Sequence, residues 1–238
     1  MILSVKNLNK RYGKKFVLKS VNIEFTNGIN TLLGENGAGK TTLMNVLSTV
    51  IQPTSGCVTF DGAEVFRMQA SYREKISVLF QSHPYFPDYT VKEFLYYSGV
   101  LKGMKKKDIN DQAIEKLKLT GMHAHYHEKM KTLSGGMRQR VFIAQALMND
   151  PKIIMLDEPS AGLDIRERSE LKSTLKKISR DRIIIISTNI VSDVDNITDN
   201  LFILHKGELV VSGNEKKIIP DGMDLEHYFI KVTAGDEV

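Results

Sequence analysis

The sequence predicts an α/β fold in which a mostly parallel core sheet is covered by helices. Three observations predict it. Short apolar runs alternate with helical patterns through the second half of the chain. A glycine-rich loop follows one buried apolar run and leads directly into a helix. Residues 81–149 break the alternation and become mainly helical. The 238 residues are enough chain to bury a proper core.

Taken in order, the chain opens with β-like stretches at residues 2–8 and, in alternation, at 21–25. Asn27-Gly28 marks a turn. Residues 29–33 form a buried strand that runs into the glycine-rich loop, and a helix is expected from 40 to about 50. Pro53 and Gly56 end that unit. Residues 58–60 and 63–66 flank an Asp61-Gly62 turn and predict a hairpin. Residues 76–80 are another apolar strand. Thr90-Val91-Lys92-Glu93 has the S/T-x-x-E form of a capping box, so a helix starts there. Residues 108–119 and 134–148 are two more helix candidates, the second stopped by Asn149-Asp150-Pro151. Strand 153–156, helix 165–178, strand 183–187 and a short helix near 191–197 then alternate, the pattern of a parallel sheet. Residues 201–205 and 208–212 close with a hairpin around Lys206-Gly207, and 216–238 read as a short tail, too small for an added regulatory domain.

Composition bounds the partners. Lys and Arg number 33 against 28 Asp and Glu, a formal charge of +5. Apart from Lys105-Lys106-Lys107, expected in a solvated turn or helix start, the basic residues are dispersed. That reads as a solvated surface and predicts no nucleic-acid partner. The single cysteine, Cys57, excludes an intramolecular disulfide and fits a reducing compartment. The first residues lack the basic start and long apolar stretch of a signal peptide, and no aliphatic run approaches the ~20 residues of a spanning helix. The expectation is a cytoplasmic protein whose membrane role comes through a partner.

Gly34-Glu35-Asn36-Gly37-Ala38-Gly39-Lys40-Thr41 fits G-x-x-x-x-G-K-[ST] and sits between a strand and a helix, where that motif must sit. Glycines let the backbone curl so that N–H groups point inward at phosphate oxygens, and the helix adds its positive end. Lys40 supplies a full charge to the β- and γ-phosphates of a nucleotide, and the Thr41 hydroxyl is a ligand for Mg2+. The apolar strand Ile153-Ile154-Met155-Leu156 ends in Asp157-Glu158. Asp157 can hold the metal ion through its water shell. Glu158 can orient or deprotonate an attacking water, a contribution of roughly 10²–10⁴-fold in rate.

Leu133-Ser134-Gly135-Gly136-Met137-Arg138-Gln139-Arg140 resembles the LSGGQ signature of ABC ATPases. Ser134 caps a helix whose first N–H groups are expected to be free, with Gly135 and Gly136 allowing close approach, which makes a second anion site. The resemblance covers almost the whole chain. It implies a single P-loop NTPase domain of the ABC ATPase type over residues 1–238, with an antiparallel β-subdomain and a helical subdomain at about 85–149 inserted in the α/β core. It places Tyr12 as the aromatic that stacks on adenine, and Gln81 as the residue that contacts the metal and senses a membrane partner. Ser160-Ala161-Gly162-Leu163-Asp164 becomes a loop that crosses to another subunit. It also implies that ATP with Mg2+ is gripped by Gly34, Asn36, Gly37, Ala38, Gly39, Lys40, Thr41 and Thr42. That nucleotide is then covered by Ser134, Gly135 and Gly136 of a second ATPase subunit, identical or sister, packed head to tail.

The implied function is an ATPase subunit that energises transport through a separate integral membrane permease, peripheral on the inner face of the cell membrane. Its overall look is closest to the stand-alone ATPases of drug, antibiotic or bacteriocin exporters. Two alternatives stay open: a soluble non-transport ABC ATPase, and a regulatory subunit that binds ATP and barely hydrolyses it. The sequence departs from the family at Met137, where the signature has Gln, and at Asn189, where a His contacts the γ-phosphate. Asn189 keeps an amide donor but no imidazole, which predicts slow hydrolysis. His123, His125 and His127 are expected in a solvated loop. Phe86, Tyr89, Phe94, Tyr96 and Tyr97 are expected mainly to pack the helical section, with some rings exposed toward a membrane partner.

Overall fold

A computed structural model describes residues 1–81 and 83–234. Two sheets organise it. The first is antiparallel and joins β1 (Ile2–Tyr12), β2 (Lys15–Thr26), β4 (Ser55–Phe60) and β5 (Ala63–Glu64) in the order β2-β1-β4-β5. The second joins β3 (Gly28–Leu33), β6 (Ile76–Leu79), β7 (Ile153–Asp157), β8 (Ile183–Thr188), β9 (Asn200–His205) and β10 (Glu208–Asn214) in the order β10-β9-β3-β8-β7-β6. Every pairing in it is parallel except β9–β10.

Burial follows from the side-chain pattern. Leu18, Val21, Ile23 and Phe25 of β2 face a core while Lys19, Asn22 and Glu24 face water. β7 and β8 are buried along their whole length, as expected of central parallel strands covered on both faces; each is an apolar run that ends in polar residues, Asp157 in β7 and Ser187-Thr188 in β8. The covering helices are α1 (Lys40–Leu47), the short α2 (Val65–Met68) and α3 (Ala70–Arg73), α4 (Val91–Leu101), α5 (Lys106–Leu119), α6 (Gly135–Leu147) and α7 (Ile165–Ile178), followed by α8 (Glu215–Ile218) and α9 (Leu225–Thr233). α4, α5 and α6 all fall between β6 and β7, which pair directly, so the helical section is an excursion from one sheet. The Thr90 capping box forms: Thr90 N–H donates to Glu93 Oε2 at 2.8 Å and Glu93 N–H to Thr90 Oγ1 at 3.2 Å. Lys105, Lys106 and Lys107 lie exposed at the start of α5.

Three expectations are corrected. Phe66 lies in α2 rather than on a strand, because β5 is only two residues long. The first helix stops at Leu47, where Thr49 adopts a positive φ of 61° that no helix can contain. The segment after Asn189 forms only a 3₁₀ turn, Val191–Asp193, closed off by Asn196 at φ 64°. Within the short tail, Asp224 accepts from His227 N–H at 2.8 Å and caps α9, which lays Leu225, Tyr228, Phe229 and Val232 on the larger core. His125 sits in a 3₁₀ turn, hydrogen-bonded to Glu128, with His123 and His127 exposed.

Candidate active site

The strand order places the functional segments side by side. β3 opens the glycine-rich loop, β8 ends at Thr188, β7 ends at Asp157 and β6 runs toward Gln81. All four strands are parallel neighbours, so their carboxyl ends share one edge, the position where α/β sheets place ligands. A cavity of about 500 Å³ lies there. Gly37, Gly39, Lys40, Thr41 and Thr42 line it from the loop and helix start, Gln81, Glu158 and Asn189 from the other strands.

The loop is built for this approach. Gly39 precedes α1 at φ 110°, and a Cβ there would lie 2.9 Å from the Val17 carbonyl oxygen. Gly34 N–H donates to the Thr188 carbonyl at 3.3 Å, which ties the loop to β8. The Lys40 amine curls back over the loop and donates to the carbonyls of Gly34 at 2.7 Å and Glu35 at 3.1 Å. Burial lowers the Lys40 pKa, opposed by the nearby charges of Glu158 and Asp157. Thr41 Oγ1 donates to Asp157 Oδ2 at 3.1 Å, while the buried Asp157 Oδ1 has no protein partner. A hydroxyl and an incompletely satisfied carboxylate thus meet at one point, a donor set that suits a hard divalent cation.

Glu158 is held from several sides, the Asn189 backbone N–H among its donors. Its N–H donates to the Ser187 carbonyl at 2.8 Å, Thr188 Oγ1 donates to its Oε2 at 3.2 Å, and Lys40 Nζ lies 4.0 Å from its Oε1. Its backbone sits at φ 50°, a left-handed conformation uncommon for a non-glycine residue and typical of functional positions. Burial raises its carboxyl pKa, and Lys40 and the Thr188 hydrogen bond only partly counteract it. The Asn189 side chain crosses the cavity instead of meeting Glu158: its Nδ2 donates to Asn36 Oδ1 at 3.2 Å.

Other predicted residues lie elsewhere. Ala38 is buried and Gly34 lies under the β9 end, against the Leu204 carbonyl. Tyr12 ends β1 half exposed, outside the cavity lining, with Lys10 Nζ 5.1 Å from its ring centroid. Ser134, Gly135 and Gly136 do not line the cavity either. Ser134 does cap α6, accepting from Met137 N–H at 3.2 Å, but the expectation of free N–H groups is corrected: Gly136 N–H donates to Glu167 Oε1 at 3.1 Å. Glu167 escaped notice because its link to residues 134–136 spans two helices and has no local signal. Arg168 also lines the cavity unpredicted; it pairs with Asp193 at 3.2 Å, and Asp193 in turn accepts from Ser160.

Residues 18–161 match the family described as ABC transporter. The chain belongs to that family. This ABC ATPase is 35% identical over 184 residues to the ABC transporter ATP-binding protein NatA of Bacillus subtilis, an alignment covering 76% of the chain and 75% of NatA. It is 30% identical over 216 residues to the linearmycin resistance ATP-binding protein LnrL of the same organism, covering 90% of the chain and 70% of LnrL. Among solved structures, cbiO1 from Clostridium perfringens, part of the ABC transporter complex cbiONQ, superposes with a TM-score of 0.84 at 29% identity, over 97% of this chain and 93% of that one. The dimeric structure of MJ0796, a bacterial ABC transporter cassette, superposes with a TM-score of 0.77 at 27% identity, over 89% of this chain and 98% of that one.

Proposed function

We propose that this ABC ATPase binds ATP with Mg2+ and hydrolyses it as the motor subunit of an exporter, working against a separate membrane permease and a second ATPase subunit. One observation carries the reading. The cavity that gathers Lys40, Thr41, Gln81, Glu158 and Asn189, with Asp157 hydrogen-bonded behind Thr41, excludes the signature residues Ser134, Gly135 and Gly136. A complete site then takes the signature helix from another copy, packed head to tail.

Within the site, the loop N–H groups and Lys40 hold the triphosphate, with Lys40 exchanging two backbone carbonyls for phosphate oxygens. Thr41, Asp157 and Gln81 would hold Mg2+, which supplies positive charge against the phosphates. Glu158, with its carboxyl pKa raised, takes the proton of the attacking water. Asn189 reaches the same space from β8 as a hydrogen-bond donor. Tyr12, half exposed at the end of β1, offers its ring to the base.

The membrane partner is supported by what the surface offers. None of the described helices is long and apolar enough to cross a membrane. Phe86, Tyr89 and Tyr97 are exposed and packed on one another, while Phe94 is buried. Stacked, partly exposed rings are good anchors for a partner. The exporter reading leans on the resistance function in the name of LnrL. Glu158→Gln protein given ATP and Mg2+ is expected to bind nucleotide, associate with itself or a sister ATPase, and co-purify with an integral membrane protein. Absence of both nucleotide binding and ATP-dependent association rejects the reading.

A further inference from the structure

The N-terminus of the signature helix already holds an anion, and it comes from the same chain. Ser134 Oγ donates to Glu167 Oε1 at 3.0 Å and Gly136 N–H donates to the same oxygen at 3.1 Å. Glu167 reaches them from the first turn of α7. There its other oxygen accepts from Asp164 N–H at 3.3 Å, and its own N–H donates to Asp164 Oδ1 at 2.8 Å. The contact requires glycine at 136, because a Cβ there would collide with the Glu167 carboxyl. It is also reachable from outside. Ser134 and Gly135 are exposed, and nothing crowds Gly135.

A helix N-terminus with unpaired N–H groups favours negative charge, and here a carboxylate supplies it. The two donors that Glu167 occupies are those a nucleotide's terminal phosphate would need when a second copy docks. Both anions cannot share them, since like charges at hydrogen-bond distance repel strongly. We propose that Glu167 is a gating residue of the shared nucleotide site: its carboxylate holds the place of the partner's terminal phosphate at Ser134 and Gly136 and leaves when ATP arrives. The inference rests on the head-to-tail reading above and deepens it. It makes association selective, because ADP lacks the γ-phosphate that would displace the carboxylate. It also links the signature helix to the 160–164 loop in the resting chain, through one side chain that changes partners on assembly.

The test uses the full chain in the Glu158→Gln background, which retains bound ATP. Dimer formation is followed by size-exclusion chromatography with light scattering over a range of ATP concentrations, with Mg2+. Glu167→Gln keeps the shape and removes the charge; Glu167→Ala removes both. Circular dichroism melting establishes that each variant is folded. Both are expected to reach half-maximal dimer at roughly 3- to 10-fold lower ATP than the Glu158→Gln parent, the size of a helix-end charge effect. Their ADP affinity as monomers is expected to stay within about twofold of the parent. A parent dimer that neither folded variant tightens, or that either weakens, overturns the gating role alone. A parent that forms no ATP-dependent dimer overturns the head-to-tail reading and the gating role together.

Discussion

Lys40 and Glu158 face each other across the nucleotide cavity, Nζ to Oε1 at 4.0 Å, each largely buried. The pair is an uneasy one. Burial lowers the pKa of the amine and raises that of the carboxyl, and their mutual attraction only partly offsets this. The folded chain therefore keeps the Glu158 proton to a higher pH than the unfolded chain does. The stability that this proton contributes is complete below the ordinary carboxylate value near 4.5 and is lost as pH rises through the raised folded value. Glutamine keeps the neutral form throughout. Glu158→Gln is thus expected to melt above wild type at pH 7, with the gap closing as pH falls toward 4.5, while ATP turnover drops by about 10²-fold or more. Thermal melts across pH, beside a steady-state phosphate assay, check both halves. A gap that widens toward acid pH would falsify the electrostatic account.

Asn189 stands where the family resemblance expects an imidazole, and its amide is committed to Asn36 rather than to Glu158. On that resemblance, the shorter side chain would offer a bound γ-phosphate a weaker donor than an imidazole. Asn189→His is expected to raise kcat several-fold, by roughly 3- to 10-fold, with KM for ATP changed by less than about twofold, since the gain arises in the transition state. Equal kcat values at a robust rate would show that Glu158 alone sets the chemistry.

What the sequence made legible was whatever is written locally. The loop ending in Lys40-Thr41, the Thr90 box, the Asp164–Ile178 helix start and end, and the aliphatic strands β7 and β8 all carry their signal within a few residues. What it hid depends on distant pairs. Glu167 is one more charge in helix 165–178 until α6 is set against α7. Arg168 and Asp193 are ordinary charges until α7 meets the turn after β8. The tail helix α9 has an apolar stripe in Leu225, Tyr228, Phe229 and Val232 at i, i+3, i+4 and i+7, a signal confined to about two turns near the end of the chain.

Tyr72 ties α3 to α1 from within the core. It is fully buried, and its hydroxyl donates to the Leu47 carbonyl at 2.8 Å. Leu47 ends α1, so its carbonyl has no partner within the helix. Tyr72→Phe removes the donor and leaves that carbonyl buried and unsatisfied. The expected loss is about 1–2 kcal/mol, a fall in Tm of roughly 2–8 °C for a chain of this size. An unchanged melting temperature would mean that water replaces the phenol.

Lys102 closes the far end of the signature helix. Its amine donates to the carbonyls of Gln145 and Met148, each at 2.9 Å, and of Ala146 at 3.2 Å, acceptors at the end of α6, where the Gln145 carbonyl also accepts from Met148 N–H. A positive charge suits a helix C-terminus, yet burial dominates and pulls the amine down to about 8 from the ordinary 10.5. Between those two values the unfolded chain holds a proton that the folded chain has released, so stability from this site rises with pH. It is complete above 10.5 and is lost as pH falls through about 8. Lys102→Met keeps the length of the side chain and cannot titrate. The melting temperature of wild type minus that of Lys102→Met is therefore expected to grow from pH 8 to pH 10, the shared titration of all other groups cancelling in the difference. A difference that stays flat over that interval would mean that the amine remains charged, its three carbonyls repaying the whole cost of burial.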